Sequence, residues 1–303
     1  MKKTLISIFM ILMAVAAQAQ GLYVASYNIR YHNSDDDKEG NVWTKRCQVI
    51  CDMVNFEHPD IFGTQEVLAH QLDDMLEALD EYKAIGVGRD DGQREGEYAA
   101  IFYNTRRMKL VDNGNFWLSE TPDVPSKGWD AACTRICTWG KFKDLKRKKH
   151  IFFFNLHLDH VGVKARREAA MLVVEKIKMM AKGKRTILTG DFNVDQNDEI
   201  YQIFTQSGIL VDTYGAARVR FQENGTFNAF KTYRVTNSRI DHVFVSPSFH
   251  VERYGVLTNV YWTPTGYSDE KQKEKDAPAQ IDFNRYVPRT PSDHYPVFVR
   301  IDY

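Results

Sequence analysis

A mixed α/β fold is what the sequence predicts, on two observations. Short runs of β-branched and aromatic residues recur along the whole chain, and amphipathic helical patterns fall between some of them instead of in one block. An all-β chain would lack the second pattern and an all-α chain the first.

Leu22 to Ile29 reads as the first strand. Lys45 to Glu57 reads as an amphipathic helix that ends before His58-Pro59, since a residue preceding proline is pushed out of the helical region. Asp60 to Glu66 is a strand leading into a helix from Ala69 to Leu79. Tyr98 to Tyr103 and Arg107 to Val111 are expected as neighbouring strands joined by a turn at Asn104-Thr105. Cys133 to Phe142, which carries Arg135, and Lys149 to His157 read as a hairpin connected by the polar run Lys143 to Lys148. Ala165 to Ala181 repeats as a helix and is stopped by Gly183. Thr186 to Thr189 is a buried strand ending at Gly190, and Ile240 to Ser246 and Tyr295 to Ile301 complete the set.

The first 19 residues stand apart. Lys2 and Lys3, an apolar run from Leu5 to Ala16 and then Ala17-Gln18-Ala19 have the order of a signal peptide, which implies export to a periplasm or the outside. A membrane anchor is the alternative, but the run is shorter than the ~20 apolar residues a span requires. Residues 20–303 are expected as one domain, since no Gly/Ser-rich or Pro-rich linker and no repeat divides them. Lys plus Arg equals Asp plus Glu at 40 each, which denies the molecule a bulk positive field for nucleic acid and tilts the reading toward a small ester; the protein is expected to be a monomer. The four cysteines fall as the pairs Cys47/Cys51 and Cys133/Cys137. On a strand the second pair would sit ~13 Å apart and could not bridge. Buried thiols are the plainer reading, and a zinc site built from all four is the alternative.

Polar residues gather where apolar strands end. Asn28, Glu66, His157, Asp191 with Asn193, Asp241 with His242, and Asp293 with His294 all occupy such edges, and strand ends converge on one rim of a packed sheet. Hydrolysis of a phosphate ester by water needs a cation on the non-bridging oxygens, a group to orient the water and stabilisation of the leaving oxygen. Hard oxygen ligands suit Mg2+ or Mn2+. Glu66 is the first ligand expected, with Asn28 orienting it or sharing the ion; taken alone, Glu66 would be an ordinary helix N-terminal carboxylate. In Gly190-Asp191-Phe192-Asn193 the glycine is expected to permit a sharp turn that brings Asp191 and Asn193 to one side. Ser292-Asp293-His294-Tyr295-Pro296 couples a candidate ligand to an imidazole, for which Asp241 is the natural orienting carboxylate. His157 is a second imidazole, with Glu97 as its candidate partner. His157-x-x-His160 lacks the cysteines or the His-Glu-x-x-His pattern of a zinc site.

These segments, together with Ser26-Tyr27-Asn28, Thr64-Gln65-Glu66, Gly96 to Tyr103, Asn155 to His160 and Arg239-Ile240-Asp241-His242, stand in the order that resembles the endonuclease/exonuclease/phosphatase superfamily. The match runs from about Gly21 to the C-terminus. The resemblance implies a four-layer α/β sandwich, two mixed β-sheets face to face with helices outside, and a site at one end. It also implies roles. Glu66 is the main Mg2+ ligand with Asn28 beside it, and Asp293 is a further acid near the metal. Asp191 orients the water, Asn193 and His157 contact the phosphate, and His294 paired with Asp241 is the catalytic histidine. Arg135 matches a phosphate-binding arginine. The Gly86 to Gly92 segment looks more like deadenylase-related and bacterial branches than a plain nuclease. Tyr261 to Arg289 is expected as a long loop on the site rim, from which Arg285 and Arg289 reach the substrate.

The function expected is therefore metal-dependent hydrolysis of a phosphate ester, a small molecule or headgroup before nucleic acid. A nuclease is the second reading, and an inactive binding module on the same sandwich the third. The acids and histidines that a dead module would lose are all present. A calcineurin-like phosphatase would need Gly-Asn-His and Gly-His-x-His elements that the chain lacks.

Overall fold

The computed structural model describes residues 21–222, 224–264, 278, 280–281 and 285–303. The segment read as a signal peptide and most of the stretch between Tyr261 and Arg289 lie outside the described residues. In chain order the first half gives β1 (Leu22–Asn28), α1 (Ser34–Lys38), α2 (Trp43–Glu57), β2 (Ile61–Gln65) and α3 (Ala69–Ala78). It continues with β3 (Tyr82–Ile85), β4 (Ile101–Asn104), β5 (Met108–Trp117) and β6 (Ile136–Asp144). Next come β7 (His150–His157), α4 (Val163–Ala181), β8 (Thr186–Asp191), α5 (Glu199–Thr205), β9 (Val211–Asp212) and α6 (Thr213–Ala216). The last are β10 (Val219–Phe221), β11 (Asp241–Val245), β12 (His250–Val256), β13 (Tyr261–Pro264), β14 (Tyr286–Arg289) and β15 (Val297–Asp302).

The strands form a seven-stranded sheet, β10-β12-β15-β1-β2-β4-β3, and a six-stranded sheet, β5-β6-β7-β8-β11-β9. Side-chain alternation explains why they stack. Leu22 and Val24 of β1, Ile61 of β2, Ile151 and Phe153 of β7, Ile187 of β8 and Val243 and Val245 of β11 meet in one core between the sheets. The alternate residues face outward. Ala25, Tyr27 and Phe62 pack with Ile50 and Val54 of α2, while Phe152, Phe154 and Leu188 pack with Ala170, Val173 and Ile177 of α4. Helix, sheet, sheet, helix is the four-layer sandwich expected.

The same alternation places the polar residues. Continuing the inward rows, Val24 is followed two and four residues on by Ser26 and Asn28, Phe153 by Asn155 and His157, and Ile187 by Thr189 and Asp191. β11 runs antiparallel to β8 with Asp241 opposite Asp191, and β15 runs antiparallel to β1, so their starts lie at the same rim as the other strands' ends. Beneath the rim a hydrogen-bonded cluster joins the sheets. Asn155 Nδ2 donates to the carbonyls of Thr64 (2.8 Å) and Ala100 (3.0 Å), and its Oδ1 accepts from Gln65 Nε2 (2.7 Å) and Thr189 Oγ1 (2.9 Å).

Three local expectations are corrected. β4 and the strand after it are not neighbours, because the turn after Asn104 carries the chain from one sheet to the other. Arg107 is buried at that crossing and donates to Asp144 (2.8 Å), a charge partner that only the sandwich supplies. The strand expected from Cys133 begins at Ile136, so Cys133 and Arg135 belong to the preceding loop. The stretch from Tyr261 to Arg289 is not loop at its ends, where β13 and β14 pair antiparallel as a ribbon. Cys47 and Cys51 lie on the buried face of α2 and Cys137 packs in the opposite outer layer, all four cysteines being free thiols. No helix among the described residues is long and apolar enough to cross a membrane.

Gly63 sits where a β-carbon would overlap Asn155 Oδ1 and Thr189 Oγ1. Gly63→Ala is expected to destabilise the fold by about 3 kcal/mol through overpacking and broken buried hydrogen bonds. Urea unfolding measures it; an unchanged midpoint would mean that the sheets can part at no cost.

Candidate active site

The rim residues converge on a cavity of about 460 Å3, a size suited to a small ligand. Glu66, Glu97, Arg135, His157, Asp191, Asn193, Asp293 and His294 line it. Asn28 lies beneath, its Nδ2 donating to Glu66 Oε1 and to Asp191 Oδ2, both at 3.0 Å, and its Oδ1 accepting from Arg30 N–H. The amide thus ties the two carboxylates together across the sheets. Three rim residues, Arg30, Glu66 and Asn193, hold left-handed backbone with φ of 60°, 63° and 50°. Non-glycine residues avoid this region unless their surroundings impose it, and such residues cluster at functional sites. Gly190 is not the turn residue expected of it. It lies within β8, where any β-carbon would strike the Leu156 carbonyl, and Asn193 makes the turn.

His294 Nδ1 lies 2.8 Å from Asp241 Oδ2, and its Nε2 is 3.7 Å from Asp191 Oδ2. Burial opposes charge on this imidazole, but the Asp241 and Asp191 carboxylates outweigh it and hold its pKa well above the ordinary value. His157 has the opposite fate. Burial and then the Arg135 and Arg89 charges push it well below the ordinary value, so the ring is neutral. Asn193 Nδ2 donates to the Leu158 carbonyl (2.9 Å) and faces His157 Nε2 at 3.1 Å, which makes Nε2 the acceptor and leaves the proton on Nδ1. Buried Nδ1 has no hydrogen-bond partner among the described residues. Its candidate partner Glu97 approaches only to 3.8 Å and is held bidentately by Arg89 at 2.7 and 2.8 Å.

Arg135 is 5% exposed, with Nη2 3.0 Å from His160 Nδ1 and Nε 3.5 Å from Asp159. Its Nη1 is buried and has no hydrogen-bond partner among the described residues. The arginines expected from the far stretch are elsewhere. Arg289 donates to the Glu39 carbonyl (3.0 Å) and Asn41 Oδ1 (3.1 Å), tying the ribbon to the α1–α2 connection, and neither it nor exposed Arg285 lines the cavity. In their place stand residues that sequence reasoning did not select: Arg30, Tyr31, Arg89 and Phe227. Arg30 and Tyr31 follow Asn28 after a single residue, Ile29, and could have been found by extending the first motif. Arg89 lies in the Gly86 to Gly92 segment, whose likeness points to a branch of the family and not to a site residue, and Phe227 carries no such signal.

The acids fit a hard divalent cation. Glu66 and Asp293 flank Arg30 Nη1 at 3.9 and 3.7 Å, and one ligand atom each from Glu66, His157 and Asp191 lies within 4.8 Å of the others. Asp191, Asp241 and His294 form a second such group. Burial, then the Asp241 charge, pushes Asp191 up to about 7, and burial with Glu66 pushes Asp293 up to about 6. Buried carboxylates this reluctant to ionise are what a bound cation would relieve.

The sandwich and this rim define the DNase I-like class of phosphate-ester hydrolases. The chain belongs to the Endonuclease/Exonuclease/phosphatase family, whose description matches residues 25–294. A mannosyl-6-phosphatase of Bacteroides thetaiotaomicron is 51% identical, with a TM-score of 0.85 over 93% of this chain and 100% of that one. A family member from Bacteroides vulgatus is 34% identical, with a TM-score of 0.78 over 93% and 99%. A protein of Acanthamoeba polyphaga mimivirus is 29% identical over 273 residues, 85% of this chain and 91% of its own length. Members of this family are hydrolases acting on phosphate esters and depend on divalent metal.

Asp191 gives a pH signature. Its folded pKa lies above the ordinary 3.8, so between 3.8 and about 7 the unfolded chain has released a proton that the folded protein retains, and stability falls as pH rises. Asp191→Asn cannot ionise. In chelator, its unfolding free energy relative to the parent is expected to grow across that window, and a flat difference would refute the reluctant carboxylate.

Proposed function

We propose that the chain is an exported, divalent-cation-dependent phosphatase that hydrolyses a sugar phosphomonoester, mannose 6-phosphate units being the first candidate. The observation that carries this reading is one rim holding both halves of the chemistry, acids for a cation and buried unpartnered donors for a phosphate. The donors are His157 Nδ1–H and Arg135 Nη1. A terminal phosphate offers three non-bridging oxygens to such donors, whereas a diester offers two. Among the described residues the site is a pocket of about 460 Å3, sized for a small ligand, and the neutral chain has no excess of positive charge for polynucleotide. The name of the 51% identical relative points the same way. Lys2, Lys3 and the apolar run after them support export.

In this reading Glu66 and Asp293 hold Mg2+ or Mn2+, whose chemistry is to neutralise the phosphate and polarise it toward attack. Asp191, fixed through Asn193 N–H (2.9 Å) and Asn28, orients the water and takes its proton. The His294 imidazolium, fixed by Asp241, places an N–H where negative charge grows on phosphorus-bound oxygen. Asn193, His157 and Arg135 complete the oxygen contacts.

A panel of mannose 6-phosphate, other sugar phosphates, a phosphodiester and single-stranded DNA, assayed with Mg2+ and Mn2+, tests it. Sugar monoesters are expected to be turned over fastest. Chelation is expected to abolish the rate, and Glu66→Ala or Asp191→Ala to cut kcat/KM by about a thousandfold. Faster cleavage of DNA, or full turnover by either variant, would overturn the assignment.

A further inference from the structure

We propose a second cation site beside the rim, built from His32 and His70 and taking a borderline divalent ion, Cu2+ above all, where the catalytic cluster takes a hard one. His32 Nδ1 and His70 Nε2 face each other at 2.9 Å, His32 on the segment that leaves β1 and His70 in the first turn of α3. Two imidazole nitrogens bound to one ion at ~2.0–2.1 Å stand roughly 2.9 Å apart at a right angle and roughly 3.3 Å apart in a tetrahedron. The spacing suits a tetragonal ion. Imidazole also favours Cu2+, Ni2+ and Zn2+, whereas carboxylate and water favour Mg2+.

The other nitrogen of His32 separates this pair from two rings in chance contact. Nε2 lies 2.9 Å from Asp37 Oδ2, and a carboxylate only accepts, so in the neutral ring Nε2 carries the proton and Nδ1 turns its lone pair to His70. A carboxylate behind an imidazole is the arrangement that metal-ligating histidines show, because it fixes the tautomer and makes the ligating nitrogen more basic. Without an ion, His70 Nε2–H donates to that lone pair. An ion replaces this proton, and His70 moves it to Nδ1, so both ligands stay neutral. The rings are also held in advance. Fully buried Gln71 accepts from His32 N–H (3.0 Å) and Leu68 N–H (3.2 Å) and donates to the Arg30 carbonyl (3.1 Å), which locks the segment from Arg30 to His32 onto the start of α3. Little ordering therefore remains to oppose binding. His70 is exposed and His32 partly so, which leaves water to complete the coordination. Tyr31 N–H, next in the chain, donates to Glu66 (3.2 Å), so an ion here braces the backbone behind that carboxylate while sharing no ligand with the catalytic cluster.

The test titrates the untagged protein, saturated with Mg2+, with Cu2+ and follows electron paramagnetic resonance, with urea unfolding as a second readout. The expected result is a Cu2+ signal with two equatorial nitrogens and an unfolding midpoint that rises with Cu2+. Affinity is expected to be greater for Cu2+ than for Ni2+ or Zn2+. It should fall at least about tenfold in His32→Gln and in His70→Gln, and about tenfold in Asp37→Asn, which keeps both ligands and removes only the carboxylate behind one of them. Exposed His70→Gln is expected to unfold with the parent's midpoint when no Cu2+ is added, so its loss of the signal reports the ligand and not the fold. Glu66→Gln and His157→Gln, which thin the catalytic cluster, are expected to keep the signal. Unchanged Cu2+ affinity in His32→Gln or His70→Gln would overturn the site. Loss of the two-nitrogen signal in His157→Gln would assign the copper to the catalytic cluster and overturn it too.

Discussion

The site depends on a hydrogen-bonded cluster in the seam between the two sheets. Apolar layers alone could slide, because dispersion and the hydrophobic effect carry little direction. Asn155 removes that freedom: rooted in β7, it donates to two carbonyls of the opposite sheet and accepts from Gln65 there and from Thr189 of β8. In a dry seam each unmatched polar atom costs roughly 1–3 kcal/mol, so one register satisfies the cluster and its neighbours do not. Gly63 leaves the space for it. Gln65 is followed directly by Glu66, Asn155 lies two residues before His157 and Thr189 two before Asp191, so the register of the seam is also the geometry of the site.

Above that cluster the fold tolerates arrangements that stability alone would discard. Asp191, Asp241 and Asp293 are buried at 2%, 0% and 7% exposure with the partly buried Glu66 beside them, while Arg30 already serves Asp36 at 2.8 Å. Burial, then the Asp241 charge, raises Asp191, and burial, with Glu66 adding to it, raises Asp293. Left-handed backbone at Arg30, Glu66 and Asn193 adds strain in the same few residues. Repulsion among acids and strain in the turns that present them are the marks of a site selected for chemistry, with the seam and the apolar core supplying the stability that offsets both.

What could be read from the sequence follows from how local each signal is. Strand alternation and the motifs around Asn28, Glu66, Asp191, Asp241 and His294 are local, and the structure brings these residues to one rim. The partnership of the strands flanking Asn104 was misread because a short turn between two apolar runs looks the same whether the chain stays in a sheet or crosses the sandwich. Arg107 decides for crossing, and its partner Asp144 is 37 residues away. Phe227 carries no signal for a related reason: it sits on a strap and shares no motif with the residues it faces, while the Gly86 to Gly92 segment marks Arg89's loop without showing that Arg89 turns to Glu97. Arg285 and Arg289 were chosen for proximity in sequence to His294, whereas the ribbon carries Arg289 to Asn41.

Loops that finish the site need their own anchor, and Arg46 of α2 supplies it. The side chain is fully buried and donates to the carbonyls of Ile29 (2.7 Å), Asn41 (2.9 Å), Pro291 (3.2 Å) and Arg30 (3.3 Å). One guanidinium thereby fixes the segment leaving Asn28 to the segment entering Asp293, stretches more than 240 residues apart in sequence. Burial lowers its pKa and the Asp293 charge opposes that fall, so the same group that sets the loop geometry also stands as positive charge behind a candidate ligand. Strands bring the acids to the rim, and Arg46 decides how the last residues of two of those approaches are turned toward one another.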